Sequence, residues 1–252
     1  MILSLTYSTR LVLAVVGYLS AYVVGNGVAW RLRTPRRGRV GQALDSVRLW
    51  GNKLWLVELL RPTYYLIPPY VVLRFGWASP SDLGLANPNW ISGLGLAAAF
   101  GVVSLVFLAL LWWQYVQLVP GGLQTQQTMW LDLPWRWAFA LREAILLESW
   151  WALVRSPMLM LAGPYFGVYL GLAALFVTGL LSPRTRYELA TPRLRESIVL
   201  TASLAVVTAT LYVFTHNLWL CITLHFVLRM AILQLLRHNK TREALGGEET
   251  PA

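Results

Sequence analysis

Near the C-terminal end the chain reads "HNLWLCITLHFVLRM", residues 216–230, which sets His225 and Arg229 one helical turn apart inside an apolar run. A second stretch, "ALREAILLESWWALVRSP" (140–157), carries Arg142, Glu143, Glu148 and Arg155 in the same kind of setting. Ionisable side chains inside such runs are costly, so each is a candidate for a site by default. A carboxylate and a neutral imidazole are suitable zinc ligands, or can act together as a general base and the group that orients it. Glu148 and Arg155 are seven residues apart and share a helix face, as do His225 and Arg229, four apart. Counted inward from Arg155 and from Leu218, Glu148 and His225 each lie seven residues in, roughly 10 Å below one surface.

The elements that must position them are membrane spans. Of the 252 residues 57% are hydrophobic and 13% charged, about half the charge of an average soluble domain. Apolar segments at 8–30, 54–74, 94–117, 135–155, 157–181, 198–215 and 218–236 can each cross a hydrocarbon core of about 30 Å. The expected fold class is therefore all-α: a polytopic integral membrane helix bundle of about seven transmembrane helices.

Charge orients it. Residues 31–53 hold six arginines and Lys53, residues 182–197 hold Arg184, Arg186, Arg193 and Arg195, and the tail holds Arg237, Lys240 and Arg242. Seven spans put these three basic segments on one side, which gives an outside N-terminus and a cytoplasmic C-terminus. The net charge of +10 is accounted for by arginines beside apolar runs, facing anionic headgroups, and not by a nucleic-acid surface. The start "MILSLTYSTR" has one arginine and no convincing small-residue cleavage site, so the first span reads as an uncleaved anchor.

The single cysteine, Cys221, excludes an internal disulfide and a Cys-based zinc site. Pro62, Pro68 and Pro69 crowd the second span, where Glu58 and Arg61 read as a helix-surface pair. Gly163, Gly167 and Gly171 recur every four residues as a face for close helix packing. His216 reads as an interfacial turn residue, and His225 first as an interhelical hydrogen bond, then as a metal ligand, with axial ligation of a porphyrin or chlorin metal among its other roles. The bland reading of Glu148 with Arg229 or Arg155 is a structural ion pair that fixes helix packing.

The segments "LESWWALVR" and "HNLWLCITLHFVLR" together resemble the CPBP family, the CAAX-processing and bacteriocin-processing intramembrane proteases. That family carries Glu-Glu-x-x-x-Arg, Phe-x-x-x-His and His-x-x-x-Asn on successive helices, with a Leu-Trp pair about seven residues before the last histidine. Here Leu218 and Trp219 stand in that relation to His225. The resemblance implies Glu148, His225 and Arg155 as catalytic residues, with Glu148 and His225 contacting a metal, zinc if the centre is active. The departures are large. The spacing from Glu148 to Arg155 is wider than the family's, the second motif has no histidine, and Arg229 replaces the asparagine, where a cation repels a metal and favours an ion pair with Glu148.

The sequence therefore divides into an N-terminal region, 1–134, with three spans and the basic cytoplasmic loop 31–53; a CPBP-like four-helix core, 135–237; and a disordered cytoplasmic tail, 238–252. The expected function is that of a CPBP-type intramembrane metalloprotease with impaired or lost proteolysis. The alternative is a non-catalytic scaffold or accessory subunit of a larger respiratory or photosynthetic membrane complex. Expected partners are the lipid bilayer and other membrane proteins, not nucleic acid, and the expected location is a prokaryotic inner membrane.

Overall fold

The computed structural model describes residues 2–33, 54–86, 90–118 and 135–246. Seven helices and no strand occur among them: α1 (Ile2–Arg33), α2 (Leu54–Arg74), α3 (Trp90–Leu118), α4 (Arg136–Leu181), α5 (Pro183–Ala190), α6 (Pro192–Thr215) and α7 (Leu218–Gly246). Five of them, α1, α3, α4, α6 and α7, are long and apolar enough to cross a membrane. The expected span at 54–74 forms the helix α2 but is not one of these five. The basic loop expected at 31–53 lies, from residue 34 onward, outside the described residues. The helix α7 runs on past the expected tail boundary at 238 to Gly246, because "RHNKTREAL" contains no helix breaker.

The two spans expected at 135–155 and 157–181 are one 46-residue helix by hydrogen bonding, and its break falls at Gly163 (φ 78, ψ 173), not at Ser156. Only glycine adopts that backbone without strain, and Pro164 after it has no N–H to give back to the preceding turn. Pro157 is instead absorbed inside the first arm. Gly163 is thus the bend itself, while Gly167 and Gly171 do line a packed face. A Cβ on Gly167 would collide with the carbonyl oxygen of Met158, and one on Gly171 would lie 2.8 Å from Arg155 Cα. The two arms of α4 therefore fold back on each other with backbones in contact.

Two compact units form, both discontinuous in sequence, with a boundary inside α4 after Glu148 instead of at 134. The first comprises residues 1–83 and 149–187. In it α1 and α2 run antiparallel: Leu11 and Val15 share a core with Val72 and Leu153, and Tyr22 meets Tyr64 at the other end. Tyr22, Tyr64, Tyr65 and Trp150 close a cycle of ring contacts with centroids 5.1–5.7 Å apart.

The second unit comprises residues 84–148 and 188–252. Here α3, α6 and α7 pack against one another. Gly93 and Gly101 of α3 let it approach α7; Cβ atoms there would lie 2.7 Å from Leu220 Cδ1 and 2.9 Å from Leu224 Cδ1. The opposite side of α3 exposes Val103, Phe107 and Leu110.

Candidate functional site

The site begins at the sharp turn between α6 and α7. His216 closes α6 in the left-handed region (φ 45), its N–H donating to the Tyr212 carbonyl at 2.8 Å. Asn217 then caps α7: its Oδ1 accepts from the N–H groups of Trp219 (3.0 Å) and Leu220 (3.3 Å). The Leu218 N–H donates to the carbonyl of Gly84 at 2.9 Å. Gly84 has φ +73, and a Cβ there would lie 2.6 Å from the Tyr212 ring, so a loop glycine braces the start of the helix that carries His225. With its N-terminus fixed, α7 turns Trp219, Thr223 and Val227 outward, and buries Cys221, His225 and Arg229, one per turn. Cys221 donates from Sγ to the Thr208 carbonyl at 3.4 Å, which ties the α7 face to α6.

Two turns into α7, His225 meets Glu148 of α4. Nδ1 of the imidazole and Oε1 of the carboxylate are 3.0 Å apart, and both side chains have no solvent exposure. The depth count from the sequence had set the two residues at one level, and the structure brings them into contact. Glu148 Oε2 is buried and has no hydrogen-bond partner among the described residues.

The other expected site residues fall differently. Of the two partners expected for the carboxylate, His225 is on Oε1, and Oε2 has no hydrogen bond among the described residues. Arg229 itself is buried, one turn beyond the imidazole. Arg155 is 4% exposed and lies in the first unit, where its backbone is the surface against which Gly171 packs. His216 is exposed, with its ring edge-on to Tyr212 at 5.5 Å, and is not gathered to His225. Glu58 lies outside the side chains described. Asn217 and Gly84 also support the site, though neither stands among the residues expected from the sequence. An asparagine ahead of the apolar run "LWLC" is an available capping signal for the first; nothing local marks the second.

No family model, curated protein or solved structure matches the chain. The site is therefore read from its own chemistry. When Nδ1 carries the ring proton it donates to Oε1, which fixes the tautomer and leaves the Nε2 lone pair on the far side of the ring. That geometry decides how a metal would fit. An ion on Nε2 is separated from Glu148 by the whole imidazole, so the two residues cannot both be direct ligands while the Nδ1–Oε1 bond stands. Catalytic zinc takes about three protein ligands, and among the described residues no group of three His, Cys, Asp or Glu side chains gathers. The donors present do not fit a hydrolytic zinc centre. They do fit a buried carboxylate–imidazole clasp between two helices.

Proposed function

We propose that this multi-pass membrane protein is a non-proteolytic counterpart of the CPBP pattern, acting as a scaffold or accessory subunit in a prokaryotic cell membrane. The supporting observation is the 3.0 Å Nδ1–Oε1 bond between two fully buried side chains, which commits Glu148 to orienting His225. A carboxylate engaged in this way holds α4 to α7, and the exposed apolar faces of α3 and α4 are free to meet lipid or a neighbouring membrane protein. One observation favours a catalytic reading instead: Glu148 Oε2, buried without a hydrogen-bond partner among the described residues, is the atom that a water or metal would use.

Metal analysis of the detergent-purified protein separates the two. After dialysis the wild type and His225→Ala should hold the same substoichiometric zinc. One equivalent of zinc in the wild type, lost in both His225→Ala and Glu148→Ala, overturns the clasp reading and restores a metallopeptidase.

A further inference from the structure

The ring cycle of the first unit carries polar groups that the clasp does not use. Tyr22 stands near the middle of α1 between Arg10 and Arg31, Tyr64 and Tyr65 at the middle of α2, and Trp150 midway from Arg136 to the bend at Gly163. Tyrosine and tryptophan in membrane helices favour the two interfaces, where water meets their polar tips. Here they meet at mid-helix, where each polar tip must find its partner away from water.

Part of that demand is met. Pro68 has no N–H to give the Tyr64 carbonyl one turn earlier, and the Tyr18 hydroxyl of α1 donates to that oxygen instead, at 3.2 Å. Two donors are left over. Trp150 is 7% exposed, and its Nε1 is buried with no hydrogen-bond partner among the described residues; the same holds for the buried Tyr64 Oη. Tyr22 touches both rings, which sets the two donors on one aromatic group. Buried donors without an acceptor are rare and costly, so this pair calls for an acceptor that the chain does not supply. The rings against Trp150, Tyr22 at 5.1 Å and Tyr65 at 5.5 Å, are only half-buried. One turn along α1 from Tyr22, the exposed Gly25 adjoins open space, with nothing within 4 Å of an added Cβ.

We propose that this aromatic group binds the headgroup of a lipophilic quinone. The quinone oxygens accept from Trp150 Nε1 and Tyr64 Oη, its flat ring lies against the tyrosine faces, and its apolar tail leaves beside Gly25. Entry turns the half-buried Tyr22 ring aside. The chemistry favours a quinone over an ion. The leftover groups are neutral donors, which suit a neutral acceptor, and the π faces around them suit a flat ring.

Protein in phosphatidylcholine nanodiscs, titrated with a decyl-substituted benzoquinone, tests this. Binding should saturate, and decylbenzene, which has the same tail and ring without the carbonyls, should bind at least about tenfold more weakly. Tyr64→Phe keeps the ring and removes the hydroxyl. It should weaken quinone binding roughly fivefold, the scale of one neutral hydrogen bond, while the quinone-free protein melts at the same temperature or higher because no bond is lost. A purely structural hydroxyl would give the reverse pattern. Tyr165→Phe, exposed on the second arm of α4, should change neither reading. With isotope-labelled tryptophan, the indole N–H resonance that is missing from Trp150→Phe should move when quinone is added. Equal binding of decylbenzene, full affinity in Tyr64→Phe, or a Trp150 indole resonance that stays in place overturns the proposal; the last result would assign that N–H to a bridging water instead.

Discussion

The Glu148–His225 bond can be weighed by a double-mutant cycle of Glu148→Leu, His225→Leu and the double variant. Both side chains have no solvent exposure, so solvent screening does not dilute the interaction. Two magnitudes compete. Interhelical hydrogen bonds in membranes average about 0.6 kcal/mol, because the unfolded chain in the membrane also finds partners, and reach about 1.7 kcal/mol. Bonds to a charged group in proteins contribute about 1.5–3 kcal/mol. Glu148 Oε1 has one partner and Oε2 none among the described residues, so His225 is the main thing stabilising the carboxylate. The expected coupling is therefore at the upper end of the membrane range, about 1.5 kcal/mol.

His225→Leu alone should cost more than the coupling, since it strands a carboxylate with neither oxygen bonded. Glu148→Gln should cost less than about 1 kcal/mol, because an amide oxygen can still accept from Nδ1. Unfolding in mixed micelles, followed by tryptophan fluorescence, measures all four states. A coupling below about 0.5 kcal/mol, or Glu148→Gln as damaging as His225→Leu, would falsify the clasp, because the pair would then contribute no more than ordinary packing.

Other consequences are local. Gly171→Ala forces a Cβ to 2.8 Å from Arg155 Cα, where backbone faces backbone, and should destabilise by about 1–3 kcal/mol in the same assay. Gly25→Ala, with nothing within 4 Å of the new methyl, should be neutral or slightly stabilising. Gly84→Ala combines a φ of +73 with a contact 2.6 Å from the Tyr212 ring, and should cost at least about 1–3 kcal/mol while loosening the start of α7. Asn217→Ala removes the acceptor for two N–H groups, and should cost about 1 kcal/mol and speed amide exchange at Trp219 and Leu220; unchanged exchange there would rule out the cap.

Much of this architecture was legible along the chain. Apolar runs and arginines at their ends are local features, and they determine which segments become helices able to cross a membrane. Even the level match of Glu148 and His225 could be counted, because an α-helix advances by a constant rise. What counting along single helices cannot supply is how one helix lies against another. The apolar runs placed the end of one span at 155 and the start of the next at 157, yet the break in α4 lies at Gly163, where left-handed backbone and a following proline allow the second arm to return onto the first. The carboxylate had a cation and an imidazole as rival partners on one face of α7. The rotation and closeness of the two helices, whose contacting residues lie 77 apart in sequence, bring the imidazole to within 3.0 Å of it. Sequence thus determined the helices, their apolar faces and the polar groups each must bury, since these follow from composition and period. Tertiary packing alone decided which buried groups satisfy one another, because that choice rests on distances of a few ångströms between side chains that no local pattern encodes.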